Sequence, residues 1–98
     1  GLIFDIPEHH VMKMYIRSSV ASKRGLALSN GVGIIDSDYV DETHILALNI
    51  SDSLIRIVHG ERLAQCVIEP VQTYDLVEIS EPPLQKTDRK GGIGSTGT

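Results

Sequence analysis

Apolar residues along the chain come in short runs separated by polar punctuation, with no sustained helical period. Residues 2–6, 11–17, 26–28 and 33–35 are rich in β-branched and large apolar side chains, and 43–50, 54–58, 63–71 and 75–79 continue the series. Pro7-Glu8, Asn30-Gly31, Asp36-Ser37-Asp38, Ser51-Asp52-Ser53 and His59-Gly60 break the runs with residues that favour turns. Short strands at that spacing predict an all-β domain, a sandwich or barrel. One helical turn is expected over 19–24, closed by Gly25 as a C-cap. Met12 and Met14 alternate onto one strand face and are expected in the core. The run from Ile45 to Ile50 is apolar on both faces apart from Asn49, which predicts a strand buried on both sides or against another subunit. The β domain is placed at 1–80, and 81–98 form a separate arm that opens with Pro82-Pro83.

Composition narrows the classes. At 98 residues and 41% hydrophobic content, the chain makes one small domain whose core a partner subunit can help to finish. A net charge of −4 provides no basic stripe to displace counterions from a phosphate backbone. Nucleic acid is thereby excluded as a partner, while a free nucleotide needs only a few placed cations. Cys66, the single cysteine, stands in an apolar run and is expected as a buried thiol in a reducing compartment. The chain shows no signal peptide and no run of about 18 apolar residues, so a soluble intracellular protein without a membrane partner is expected. His9, His10, His44 and His59 lack metal-ligand spacing and are assigned to the surface or to turns; Glu8, Asp41, Glu42 and Glu61 are assigned to solvent.

Three clusters carry candidate chemistry. Arg17-Ser18-Ser19 ends a strand just before a helical turn, and combines a guanidinium fork with hydroxyl and backbone donors that suit a phosphate. Its structural alternative is Ser18 as an N-cap beside a solvated Arg17. The segment from Asn30 to Tyr39 is expected to form a hairpin with glycine at its tip, whose backbone groups can read the edge of a flat base. Asp36 closes an apolar strand there; held rigidly and partly desolvated, it suits the deprotonation of a water. Asp36 and Asp38 as turn residues, with Tyr39 in the core, are the structural alternative. In Gly60-Glu61-Arg62-Leu63-Ala64-Gln65, a buried Gln65 amide requires a backbone or ligand partner. The tail, Arg89-Lys90-Gly91-Gly92-Ile93-Gly94-Ser95-Thr96-Gly97, cannot build a core. It is either a flexible end or a segment that orders on an anion, glycine backbone donors being free to approach phosphate closely.

The order of these clusters resembles the trimeric dUTP pyrophosphatase (dUTPase) family, over the whole chain. Arg17-Ser18-Ser19 with Lys23-Arg24-Gly25-Leu26 matches the family's second motif, and Asn30 to Tyr39, with Gly33 and contiguous Ile35-Asp36-Ser37-Asp38-Tyr39, matches the third. Gly60-Glu61-Arg62 with Ala64-Gln65 matches the fourth, and Gly91 to Gly97 the fifth. The resemblance implies a distorted jelly-roll barrel of short strands with one helical turn and a glycine-rich C-terminal arm. It implies hydrolysis of dUTP to dUMP and pyrophosphate, by water attack at the α-phosphorus, which keeps uracil out of DNA. Asp36 would be the general base. Asn30 and Gly33 would bind uracil and exclude cytosine, and Tyr39 would stack under deoxyribose and leave no room for a 2′-hydroxyl. Arg17, Ser18, Ser19 and Gln65 would hold the phosphates, with Arg89, Gly92, Gly94, Ser95 and Thr96 closing over them. Mg²⁺ would be held by the substrate phosphates and water, with no direct protein ligand. A homotrimer with shared active sites is implied, in the cytoplasm, or in the nucleus or host cytosol for a viral protein.

The chain departs from the family pattern at several points. The first motif, Ala-Gly-x-Asp-Leu, is absent, so the chain reads as shorter than the family norm. Ile16 stands for the usual Pro. Asp41 stands for the usual Gly, so that turn must avoid positive φ or bear strain. Ile93 stands for the usual Phe, one residue is missing between Arg89 and the glycine pair, and such short aliphatic tails resemble viral and phage-associated branches. Two alternatives stay open. A dCTP deaminase-like enzyme would share the fold and the Arg-Ser-Ser grip, although Ile-Asp-Ser-Asp-Tyr argues against it. A non-enzymatic dUTP-sensing module would have no use for Asp36.

Overall fold

The structure is a computed structural model that describes residues 1–94 and 97. Strand β1 (His10–Ile16) is the spine of the molecule. It pairs antiparallel with β3 (Gly33–Asp36) on one side and β5 (Ala64–Pro70) on the other, in the order β3-β1-β5. A second, two-stranded sheet joins β2 (Leu26–Leu28) to β4 (Ala47–Asn49). Helix α1 (Ser18–Arg24) links β1 to β2. The class is all-β with one short helix, as the sequence predicts, and the two sheets are open rather than closed into a barrel.

Alternation along β1 decides where the core lies. Met12 and Met14 are buried on one face and pack with Ile6, Leu28 and Ile35, which lie on other segments. A second cluster, Val20, Leu26 and Leu63, seats α1 on the strands. Gly25 ends the helix in the left-handed conformation (φ 70, ψ 36), where glycine meets no Cβ penalty. Position 33 is tightly packed as well. Gly33 faces Met14 in the β1–β3 register, and a Cβ there would come within 3.0 Å of the Met14 Cβ.

Several expectations are corrected. Residues 2–6 make a single bridge, Leu2 to Thr43, instead of a strand, and 43–50 shortens to β4. Residues 54–58 and 75–79 take no strand among the described residues. Apolar composition favours extended backbone, but a strand exists only where a neighbour completes its ladder. Ile45, Leu46, Leu48 and Ile50 are exposed, so within this chain the run is covered on neither side. Cys66 is exposed as well, because β5 is an edge strand with nothing stacked on it. Partial burial still pushes its thiol pKa upward. Glu61 is engaged rather than free: its carboxylate accepts from Arg24 Nη1 at 2.7 Å and from the Val58 N–H at 2.9 Å.

Candidate active site

Sheet β3-β1-β5 distributes the candidate residues between its two ends. At one end, the β1 ladder runs on past Ile16 through the Arg17 N–H, which donates to Leu63 O at 3.0 Å. Arg17 Nη1 donates to Arg62 O at 2.8 Å, which fixes the guanidinium against the 60–63 segment. That segment is itself held by Arg24, whose Nη1 meets Glu61 and whose Nη2 donates to Arg56 O at 2.6 Å. Gln65 pairs with Tyr15 in register, which places it on the strand face that Arg17 continues. Gln65 is exposed, so its amide is open to a ligand instead of requiring an internal partner.

Arg17, not Ser18, is the N-cap of α1, with extended φ −71 and ψ 141 and no side-chain capping bond. The serine hydroxyls are therefore not consumed as caps. The first intrahelical bonds come from the Val20 and Ala21 N–H groups, both to Arg17 O at 3.0 Å, so the Ser18 and Ser19 N–H groups precede the helical ladder. The Arg17 guanidinium, the Ser18 and Ser19 hydroxyls and N–H groups and the Gln65 amide thus all belong to this end of the sheet, and each is a donor that suits an anion.

Along β3 lies a cavity of about 250 Å³ lined by Asn30, Gly33, Ile35, Tyr39, Thr43 and His44, among others. It brings together all three residues expected at uracil and deoxyribose. The connection that carries Asn30 is a corner between sheets and not a hairpin, since β2 pairs with β4 and β3 with β1. Gly31 makes the corner with φ 74, and its N–H donates to Leu28 O at 3.0 Å. Tyr39 is anchored at both ends of the residue. Its N–H donates to Asp36 O at 3.1 Å and its hydroxyl donates to Glu42 O at 2.7 Å. Asp41 avoids positive φ, His9 being the only non-glycine with positive φ among the described residues. Asp36 ends the strand behind the cavity, and its side chain is exposed rather than partly buried because the edge of β3 is uncovered.

Asp36 and Arg17 stand at opposite ends of the sheet. Asp36 pairs with Val11. Val11 and Arg17 stand six residues apart on the strand, which is about 20 Å at roughly 3.3 Å per residue. Gly33, on the cavity wall, pairs with Met14, only three residues or about 10 Å from Arg17, so it is Asp36 and not the whole cavity that is remote from Arg17. The arm lies apart from both ends. Arg89 Nε donates to Gly91 O at 3.2 Å and Arg89 O accepts from Gln85 at 2.5 Å, bonds that stay inside the arm. Gly94 takes positive φ (79), as does Gly91 (81). Gly92 belongs to the same stretch, whereas Ser95 and Thr96 lie outside the described residues. Thr43 and His44 escaped the motif-based reading. Both sit just beyond the Tyr39 turn, and neither residue type at that position signals a ligand.

A family model described as dUTPase matches residues 1–97. The chain belongs to the dUTPase family. A deoxyuridine 5′-triphosphate nucleotidohydrolase of a Hydrogenobaculum species is 41% identical over 99% of this chain and 67% of its own length. One from Rhizobium rhizogenes is 42% identical over 99% of this chain and 62% of its own length. The chain thus spans about two thirds of the dUTPases it matches. Among solved structures, a mutant dUTPase of Staphylococcus bacteriophage 80alpha with dUpNHpp superposes with a TM-score of 0.80 at 27% identity, covering 98% of this chain and 72% of that one. A Streptococcus mutans dUTPase superposes with a TM-score of 0.67 at 30% identity, covering 74% of this chain and 62% of that one.

Proposed function

We propose that this chain hydrolyses dUTP to dUMP and pyrophosphate, with Asp36 as general base. The observation that carries the reading is the convergence of Asn30, Gly33 and Tyr39 on one cavity, with Asp36 ending the strand behind it and bonded through its carbonyl to Tyr39. In the proposed step Asp36 takes a proton from water. The water oxygen bonds to the α-phosphorus as the α–β bridging bond breaks, and pyrophosphate leaves with the electron pair. Asn30 presents an amide to the uracil edge, and the Tyr39 ring packs under the sugar. Arg17, Ser18, Ser19 and Gln65 bind the phosphates, and Arg89, Gly92, Gly94, Ser95 and Thr96 close over them.

Two features support a site shared between subunits of a homotrimer. Asp36 stands about 20 Å from Arg17 along the sheet, and the cavity is smaller than the roughly 300 Å³ at which most ligand sites begin. Exposed Leu46, Leu48, Ile50, Val67 and Ile68 supply apolar surface for association. Mg²⁺ on the triphosphate would add charge neutralisation. Among the described residues, no group of three or more His, Cys, Asp or Glu side chains could hold a cation. The ion would be held by the substrate phosphates and water, with no direct protein ligand. No helix among the described residues is long and apolar enough to cross a membrane.

Asp36→Asn tests the proposal. Pyrophosphate release should fall by about 10²–10⁴-fold, the range for loss of a general base, while dUTP binding stays within about threefold. A variant that hydrolyses as fast as the parent overturns it.

A further inference from the structure

We propose that Thr43 is a nucleoside contact, its hydroxyl turning about χ1 from a buried, unpartnered position into the adjacent cavity when a nucleoside is bound. The inference rests on the reading of that cavity as the nucleoside site. Thr43 lines the cavity together with Asn30 and Tyr39. Its Oγ1 is shielded from solvent and has no hydrogen-bond partner, and no other buried side-chain oxygen or nitrogen among the described residues is left in that state. A buried hydroxyl without a partner costs about 1–3 kcal/mol, so a native protein leaves few of them.

The backbone around this hydroxyl is firmly placed. The Thr43 N–H donates to Leu2 O at 2.8 Å in the Leu2–Thr43 bridge, and the carbonyl of the preceding residue, Glu42, accepts the Tyr39 hydroxyl at 2.7 Å. The residue that holds the tyrosine ring and the residue with the orphaned oxygen are therefore neighbours on one fixed segment. Threonine carries a methyl and a hydroxyl on the same carbon, and one χ1 turn exchanges their positions. Such a turn brings a donor and acceptor to a lining that combines Ile34, Ile35 and Leu46 with the polar groups of Asn30, Tyr39 and His44. A hydroxyl that both donates and accepts suits the polar atoms of a nucleoside. It cannot by itself separate uracil from cytosine, so its role is affinity and not base choice.

The test sets two readouts against each other, using dUMP as the probe and calorimetry for binding. Thr43→Val keeps the side-chain shape and removes the hydroxyl. The unliganded protein should melt at the same temperature or higher, since an unsatisfied buried group is gone, while dUMP affinity falls about three- to tenfold. In turnover, KM for dUTP should rise with kcat retained, and Thr43→Ser should restore both affinity and KM to within about twofold. A valine variant that binds dUMP as well as the parent overturns the inference, as does one that loses affinity together with unliganded melting temperature. A parent protein that binds no dUMP overturns the nucleotide reading as well.

Discussion

Tyr39 separates packing from selectivity at the scale of one residue. Its hydroxyl holds the turn by donating to Glu42 O, while its ring, 40% exposed, is the part available to a sugar. The two parts can be removed separately. Tyr39→Phe deletes a hydrogen bond whose carbonyl partner can turn to water, at a cost of about 1 kcal/mol or less. The ring stays, so the ratio of kcat/KM for dUTP over UTP should remain within about threefold of the parent, with melting lowered by no more than about 8 °C. Tyr39→Ala removes the ring that, in the proposed site, would leave no room for a 2′-hydroxyl, and the same ratio should fall tenfold or more. Equal ratios for Tyr39→Ala and the parent would remove the ring from selectivity. Asp36 marks the limit of residue-level reading. Its place at the end of β3 follows from the apolar run before it, but its exposure depends on a strand edge that the run does not describe.

At the scale of elements, α1 and the Gly25 cap hold the end of the sheet proposed to bind phosphate. The cap N–H donates to Ala21 O, the Gly25 carbonyl accepts from Ile50 at 2.9 Å, and a Cβ on residue 25 would lie 2.9 Å from the Ser51 Cβ. Gly25→Ala therefore meets a left-handed backbone penalty of about 1–2 kcal/mol and a contact with β-carbon matter that cannot swing away. Gly31 has a similar φ of 74 with nothing within 4 Å of an added Cβ. Both variants should lower the thermal midpoint, and Gly25→Ala should lower it by at least about 4 °C more than Gly31→Ala. Equal shifts would mean that Ser51 yields freely. The cap was legible in sequence because glycine after a basic last turn has few other uses. β1, β2, β3 and β5 were legible because alternation and punctuation agree with the pairing that forms. Residues 54–58 and 75–79 were not, since a run's composition says nothing of whether a second strand lies alongside it. The same holds for the site. Asn30, Gly33 and Tyr39 were visible as a motif, but Thr43 matters through a cavity wall and a missing hydrogen bond, which only the fold creates.

The whole molecule is far from compact. Its radius of gyration is 19.2 Å, against about 13 Å for a globular domain of this length. Extents of 54 × 40 × 18 Å describe a slab one or two layers thick. Much of the excess lies in the arm, where Leu84 is 93% exposed and Ile93 fully so. Side chains that bury nothing contribute nothing to folding, and the hydrogen bonds of Arg89 close within the arm itself. Removing residues 81–98 should therefore leave the thermal midpoint unchanged within about 2 °C. Its effect on the proposed reaction should be large, because in that proposal the arm would carry Arg89 and the glycine backbone donors to the phosphates. We expect kcat/KM for dUTP to fall at least about 100-fold, with dUTP affinity reduced and dUMP affinity nearly retained, since the monophosphate leaves little for the arm to grip. This pattern differs from that of Asp36→Asn, which loses hydrolysis and keeps dUTP affinity. A truncated chain that melts lower would place the arm in the folded core of the assembly, and one that still hydrolyses dUTP at the parent rate would deny it any part in the site.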